Sequence, residues 1–169
     1  TEDACAAIRA RADLLSWQPA RINADAHSPE ARRCQTVSLA ERAGSVLGEA
    51  NLMKLLSCVQ HFNGRCWSFV LGQGLELNLI RYSAGDHYSR WHTDVFAEAS
   101  TRKLSFTVQL SSDYTGGALW MQERTAPASR RCGDIILFPA FLAHRVEPVT
   151  AGVRLALVCL LYTSPSPRD

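Results

Sequence analysis

The sequence predicts an α+β fold, with helices first and a β-rich remainder of sandwich or barrel type. Two observations carry this. Apolar residues recur at helical spacing in the first third of the chain, and from about residue 66 the period shortens to two. KLSFTVQLS (103–111) shows the short period most plainly, with Leu104, Phe106, Val108 and Leu110 alternating with Ser105, Thr107, Gln109 and Ser111. The 169 residues, 47% of them hydrophobic, suit one domain with a sizeable core. No repeat or linker divides it. The reading is a single domain over 1–162, helical over about 1–62 and β over about 63–162.

Thr1 can cap a first helix favoured by Glu2 and Asp3, with Ile8, Leu14 and Leu15 as its apolar stripe. Residues 19–37, with two prolines, read as strand or loop. Ser38 and Glu41 have capping-box spacing before a second helix on which Leu39, Ala43, Val46, Leu47, Ala50, Met53 and Leu56 recur; Gly44 and Gly48 favour a start after them. CWSFVL (66–71) and LELNLIRY (75–82) read as strands. GALWMQ (117–122) follows a Gly116–Gly117 turn, and GDIILFPA (133–140) reads as a strand covered on both faces. HRVEPV (144–149) and GVRLALVCLL (152–161) complete the set. The polar residues 163–169, with two Ser-Pro pairs, cannot extend a central strand and read as a dispensable, foreign or processing tail.

A formal net charge of +2, from 18 basic and 16 acidic residues, argues against a nucleic-acid partner. No apolar run approaches the ~18–20 residues that span a bilayer. The opening TEDACAAIRARADLL lacks the pattern of a signal peptide, so a cytoplasmic location is expected. Six cysteines without a C-x-x-C pair read as reduced thiols, several of them in the core.

The chemistry concentrates in RYSAGDHYSRWHTDVF (81–96). On an extended segment His92 and Asp94, at i and i+2, point the same way. They supply two members of a two-histidine, one-carboxylate set of the kind that binds Fe(II) on one face and leaves positions open. H-x-D alone occurs by chance in many chains. A third ligand must come from elsewhere: His144, after the strand GDIILFPAFLA, is the best placed. His27 in a loop, His61 at a helix end and His87 in the turn SAGDHY compete. Arg154, inside the apolar GVRLALVCLL, is costly there unless it meets an anion, and its planar fork suits a carboxylate. A dicarboxylate could chelate the metal at one end and meet Arg154 at the other. Tyr88 could line a substrate mouth, whereas Trp91 points away from His92 and reads as core. Arg124, Arg130 and Arg131 read as a solvated face.

The blocks RYSAGDHYSRWHTD, RKLSFTVQLSSDYTGGALWM and GDIILFPAFLAHRVEPVTAGVR, with NGRCWSFVL more loosely, resemble the Fe(II)/2-oxoglutarate dioxygenases. Within them the sequence is most similar to the prolyl 4-hydroxylase and PKHD-type hydroxylase branch. The resemblance implies a double-stranded β-helix (jelly-roll) core with N-terminal supporting helices. It implies His92, Asp94 and His144 as iron ligands, Arg154 on the distal carboxylate of 2-oxoglutarate, and Tyr82 as a further hydrogen-bonding partner of that cosubstrate. It also implies hydroxylation of a peptide, protein or small molecule with release of succinate and CO2, and leaves ascorbate open as a reductant. The continuation after RLALV departs from the family pattern, CLLYTSPSPRD standing where a tryptophan and an HGP-like run are expected, so the last strand is expected to be truncated or replaced. Two other readings compete: a zinc hydrolase on the same residues, which needs a nearby general base and no dicarboxylate clamp such as Arg154, and a non-catalytic jelly-roll binding module, which needs no such triad.

Overall fold

The computed structural model describes residues 1–20, 28–95 and 101–163. Helix α1 (Glu2–Ala12) opens as expected, with the Thr1 hydroxyl accepting from the Ala4 N–H at 3.3 Å and two acids in the first turn. Its buried face is Cys5, Ile8 and Ala12, however, and Leu14, beyond the helix end, is exposed. Strands β1 (Gln18–Pro19) and β2 (Gln35–Ser38) follow. The capping box does not form: Ser38 ends β2, and the 3-10 turn Ala40–Arg42 has no side-chain cap. Helices α2 (Ala43–Leu47) and α3 (Glu49–Cys66) are separated by Gly48 at φ 83°, a conformation that costs glycine little. Leu39, Ala43, Val46 and Leu47 are buried, but Met53 is exposed and Val59 takes its place in the core.

CWSFVL does not form a strand of its own; only its last residue, Leu71, belongs to one. Helix α3 runs through Cys66, and the Asn63 side chain donates from Nδ2 to the Phe69 carbonyl and accepts at Oδ1 from the Phe69 N–H, which turns the chain back at the helix end. The strands that follow are β3 (Leu71–Tyr82), β4 (Tyr88–His92), β5 (Arg102–Gln109), β6 (Thr115–Gly116) and β7 (Leu119–Met121). After them come β8 (Ile135–Pro139), β9 (His144–Val146), β10 (Val149–Ala151) and β11 (Arg154–Thr163). They form an antiparallel sheet β1-β2-β3-β11-β5-β8, a smaller sheet β4-β9-β7 and a β10-β6 pair. In that pair Gly116 stands at φ 71°, where a Cβ would collide with the Pro148 carbonyl oxygen.

Two cores lie on opposite faces of the large sheet. On one face, Leu77, Leu79, Leu157 and Cys159 pack with Cys5, Ile8, Val46, Leu47 and Val59 of the helices. On the other, Ile80 and Tyr82 pack with Tyr88, Leu119, Met121 and Val146 of the small sheet. This is a jelly-roll backed by helices. The last strand is not truncated: β11 pairs with β3 on one side and β5 on the other, and Thr163, expected in the tail, still pairs with Leu71. Residues 164–169 lie outside the described residues. Strand β8 is an edge strand, which explains why Ile135 is 36% exposed where burial on both faces is expected. Trp91 does point away from His92, but into solvent rather than core, at 46% exposure and under the Arg145 guanidinium. The six cysteines are all free. Among the described residues no helix is long and apolar enough to cross a membrane.

Candidate active site

The small sheet sets two histidines side by side. His92 ends β4, His144 opens β9, and the two are direct cross-strand partners. The register of β4 on β9 shifts between Tyr88 and His92, a bulge of the kind that re-aims a side chain. Asp94 lies just past β4, held by its N–H donating to the Ala140 carbonyl at 2.9 Å. One ligand atom each from His92, Asp94 and His144 lie within 4.8 Å of one another. His144 Nε2 is 3.8 Å from Asp94 Oδ2.

The surroundings orient all three. His92 Nδ1 donates to the Arg90 carbonyl and His144 Nδ1 to the Leu142 carbonyl, each at 3.0 Å. A carbonyl only accepts, so both Nδ1 atoms carry the proton and both Nε2 lone pairs are available to a metal. Ser105 Oγ donates to Asp94 Oδ2 at 2.5 Å. Tyr88 stacks on His92 with ring centroids 3.5 Å apart, and Phe138 meets His144 edge-on. Burial, then the neighbouring His144, pushes the His92 imidazole down to about 3, so it is neutral as a metal ligand must be. Two imidazole nitrogens and one carboxylate oxygen, converging with no fourth protein ligand beside them among the described residues, fit a mononuclear ion of the Fe(II) type.

The competing histidines stand elsewhere. His61 is exposed on α3, His87 bonds Ser89, and His27 lies outside the described residues.

A cavity of about 660 Å³ between the two sheets is lined by the triad and also by Arg154 and Tyr82. Arg154 is 2% exposed and opposite Tyr82 in the β11–β3 register, its guanidinium 5.2 Å from the tyrosine ring centroid. Its Nη2 donates to the neutral Gln109 Oε1 at 3.2 Å, and its Nε is buried without a partner. No ion pair to Arg154 is found among the described residues. Thr107 Oγ1, on the same cavity wall, is also buried and unpartnered. An uncompensated guanidinium and an orphan hydroxyl facing one cavity fit an anionic, oxygen-rich ligand. Burial raises the Tyr82 phenol above its ordinary range, so it stays a neutral hydroxyl.

Ser105 and Gln109 carry no motif, and motif reading misses them. The signal that could find them is the polar half of the β5 alternation. Ser105, Thr107, Gln109 and Ser111 are all buried, because that face of the strand looks into the jelly-roll rather than into water. Arg32, also missed, lines the cavity over the Tyr88 ring at 4.9 Å. Of the other arginines, Arg124 and Arg131 are exposed as expected, whereas Arg130 packs on the Tyr114 ring.

No family model matches the chain. A PKHD-type hydroxylase of Idiomarina loihiensis is 36% identical over 90 residues, covering 51% of this chain and 41% of that protein. A PKHD-type hydroxylase of Stutzerimonas stutzeri is 29% identical over 162 residues, covering 89% of this chain and 70% of the relative. The chain thus spans less than half the length of the first of these relatives. Among solved structures, a prolyl-4-hydroxylase of Pseudomonas putida superposes with a TM-score of 0.79 at 20% identity, covering 98% of this chain and 89% of that one. The curated homologues of this chain are PKHD-type hydroxylases, and its fold is that of the prolyl 4-hydroxylases.

Proposed function

We propose that this chain is an Fe(II)- and 2-oxoglutarate-dependent dioxygenase domain that hydroxylates an organic substrate and releases succinate and CO2. One observation carries the reading: a single cavity is lined by a two-histidine, one-carboxylate set and by a buried arginine without an acidic partner among the described residues. His92 and His144, through Nε2, and Asp94 would hold the iron. Arg154 would take the distal carboxylate of 2-oxoglutarate, with Tyr82 as a neutral donor beside it. The bound metal and cosubstrate supply the oxidising chemistry, and the protein supplies position and electrostatics. Ser105 fixes the Asp94 carboxylate, the Arg90 and Leu142 carbonyls fix the imidazole tautomers, and Gln109 holds Arg154 without neutralising it.

The substrate we propose is a peptidyl prolyl residue or another side chain, by the names of the relatives; a small molecule would enter the same cavity. Ascorbate is the reductant we would add. A hydrolase would need a free carboxylate as base. Glu76, the other carboxylate on the cavity wall among the described residues, is instead paired with Arg102 at 2.9 Å. The test is succinate release with Fe(II), 2-oxoglutarate and a panel of prolyl peptides and small molecules. Release that depends on both Fe(II) and 2-oxoglutarate and disappears in Asp94→Ala is expected. Equal release by wild type and variant would reject the reading.

A further inference from the structure

We infer that Cys5 and Cys132 form a reversible disulfide site that staples helix α1 to the jelly-roll. The site lies outside the cavity and does not depend on the reading of the metal centre. Cys5 is on the buried face of α1 at 4% exposure, and Cys132 sits half-buried in the loop before β8. Their thiols reach consecutive carbonyls at the end of β5. Cys132 Sγ is 3.4 Å from the Leu110 oxygen, and Cys5 Sγ is 4.0 Å from the Gln109 oxygen. Gly133, next to Cys132, donates its N–H to the same Gln109 oxygen at 2.8 Å, and a Cβ built on Gly133 would lie 4.0 Å from Cys5 Sγ. The two thiols also sense each other: burial, then contact with Cys132, pushes Cys5 up to about 11.

The surroundings assign the two sulfurs different parts. Cys132 is reachable from solvent, and the Arg9 guanidinium lies 3.7 Å from its Sγ, where it would pair with the thiolate through which exchange proceeds. Cys5 is too buried to meet an oxidant first. With a small-molecule disulfide as oxidant, the Cys132 thiolate attacks one sulfur, that S–S bond breaks and one small thiolate leaves. Cys5, having given its proton to water, then attacks the Cys132 sulfur and expels the second. Two protein thiols are oxidised and one small disulfide is reduced to two thiols; excess thiol reverses the exchange. The bond would tie α1 to a point far along the chain and so restrict the unfolded state. It would close around Gln109, whose side chain holds Arg154.

The test equilibrates the full chain with oxidised and reduced glutathione, quenches by alkylation and maps the digest by mass spectrometry. A linked Cys5–Cys132 peptide is expected, with Cys58 and Cys66 of α3 outside it, and with reversal by excess reduced glutathione. The oxidised chain should melt roughly 5 °C or more above the reduced one. Cys132→Ser, a near-isosteric change at a half-buried position, should lose both the linked peptide and the Tm difference, as should Cys5→Ser. Separate alkylation of Cys5 and Cys132, a glutathione adduct that stays on Cys132, or a linked form that melts no higher would each overturn the inference.

Discussion

Ser105 shows how a small side chain can set the chemistry of a larger one. Its hydroxyl is fully buried and holds one Asp94 oxygen. Ser105→Ala should leave the fold intact and weaken Fe(II) binding by roughly 10- to 100-fold, the usual scale for losing a group that orients a metal ligand; anaerobic Fe(II) titration measures it. His92 gives a pH prediction for the metal-free protein. Its folded pKa, about 3, lies below the ordinary 6.5, so the folded state binds fewer protons than the unfolded state between these values. The stability from the neutral imidazole is present above about 6.5 and is lost as pH falls toward 3. Melting curves of the metal-free protein should therefore fall with decreasing pH across this window, and His92→Gln should flatten that part of the profile. At this scale the sequence was most legible. His92, Asp94 and His144 stand out by type and spacing, and Arg154 by a charge in an apolar strand. Ser105 and Gln109 did not stand out, because a serine or glutamine on an alternating strand is normally read as facing water.

Strand β11 carries both halves of the structure. Leu155, Leu157 and Cys159 face the helices, while Arg154 and Val158 line the cavity. Leu157 is fully buried, between Leu79 of β3 and Val108 of β5 in register. Leu157→Ala should cost about 2–5 kcal/mol, the range for a buried leucine in a core that cannot collapse around the gap. Urea denaturation checks it, and a loss below about 1 kcal/mol would show that the strand does not anchor the two neighbouring strands. The central strands were legible because their period-2 pattern is long. The strand expected at CWSFVL was not, because the helix before it runs on through Cys66, where the Asn63 side chain folds the chain back, and a six-residue run with five apolar residues reads equally as helix or strand. The helix start at Ser38 failed for a related reason: the same serine pairs with Asn78 at the end of β2, which leaves it no part in a cap.

At the scale of the whole molecule, the site exists because two sheets face each other. The small sheet supplies His92 and His144, and the large sheet supplies Ser105, Gln109, Tyr82 and Arg154. Local pattern could list these residues but not pair them. Only the closure of the jelly-roll places Arg154 and the triad on one cavity, from strands far apart in the chain. The most direct measurement of this account is anaerobic calorimetry of 2-oxoglutarate binding to the Fe(II)-loaded chain and to Arg154→Ala. Binding should require Fe(II), and the variant should lose about 3–5 kcal/mol of it, the scale of breaking a buried charge pair, with Fe(II) still bound at one per chain. Equal 2-oxoglutarate affinity in the two proteins, or binding that is indifferent to Fe(II), would contradict it.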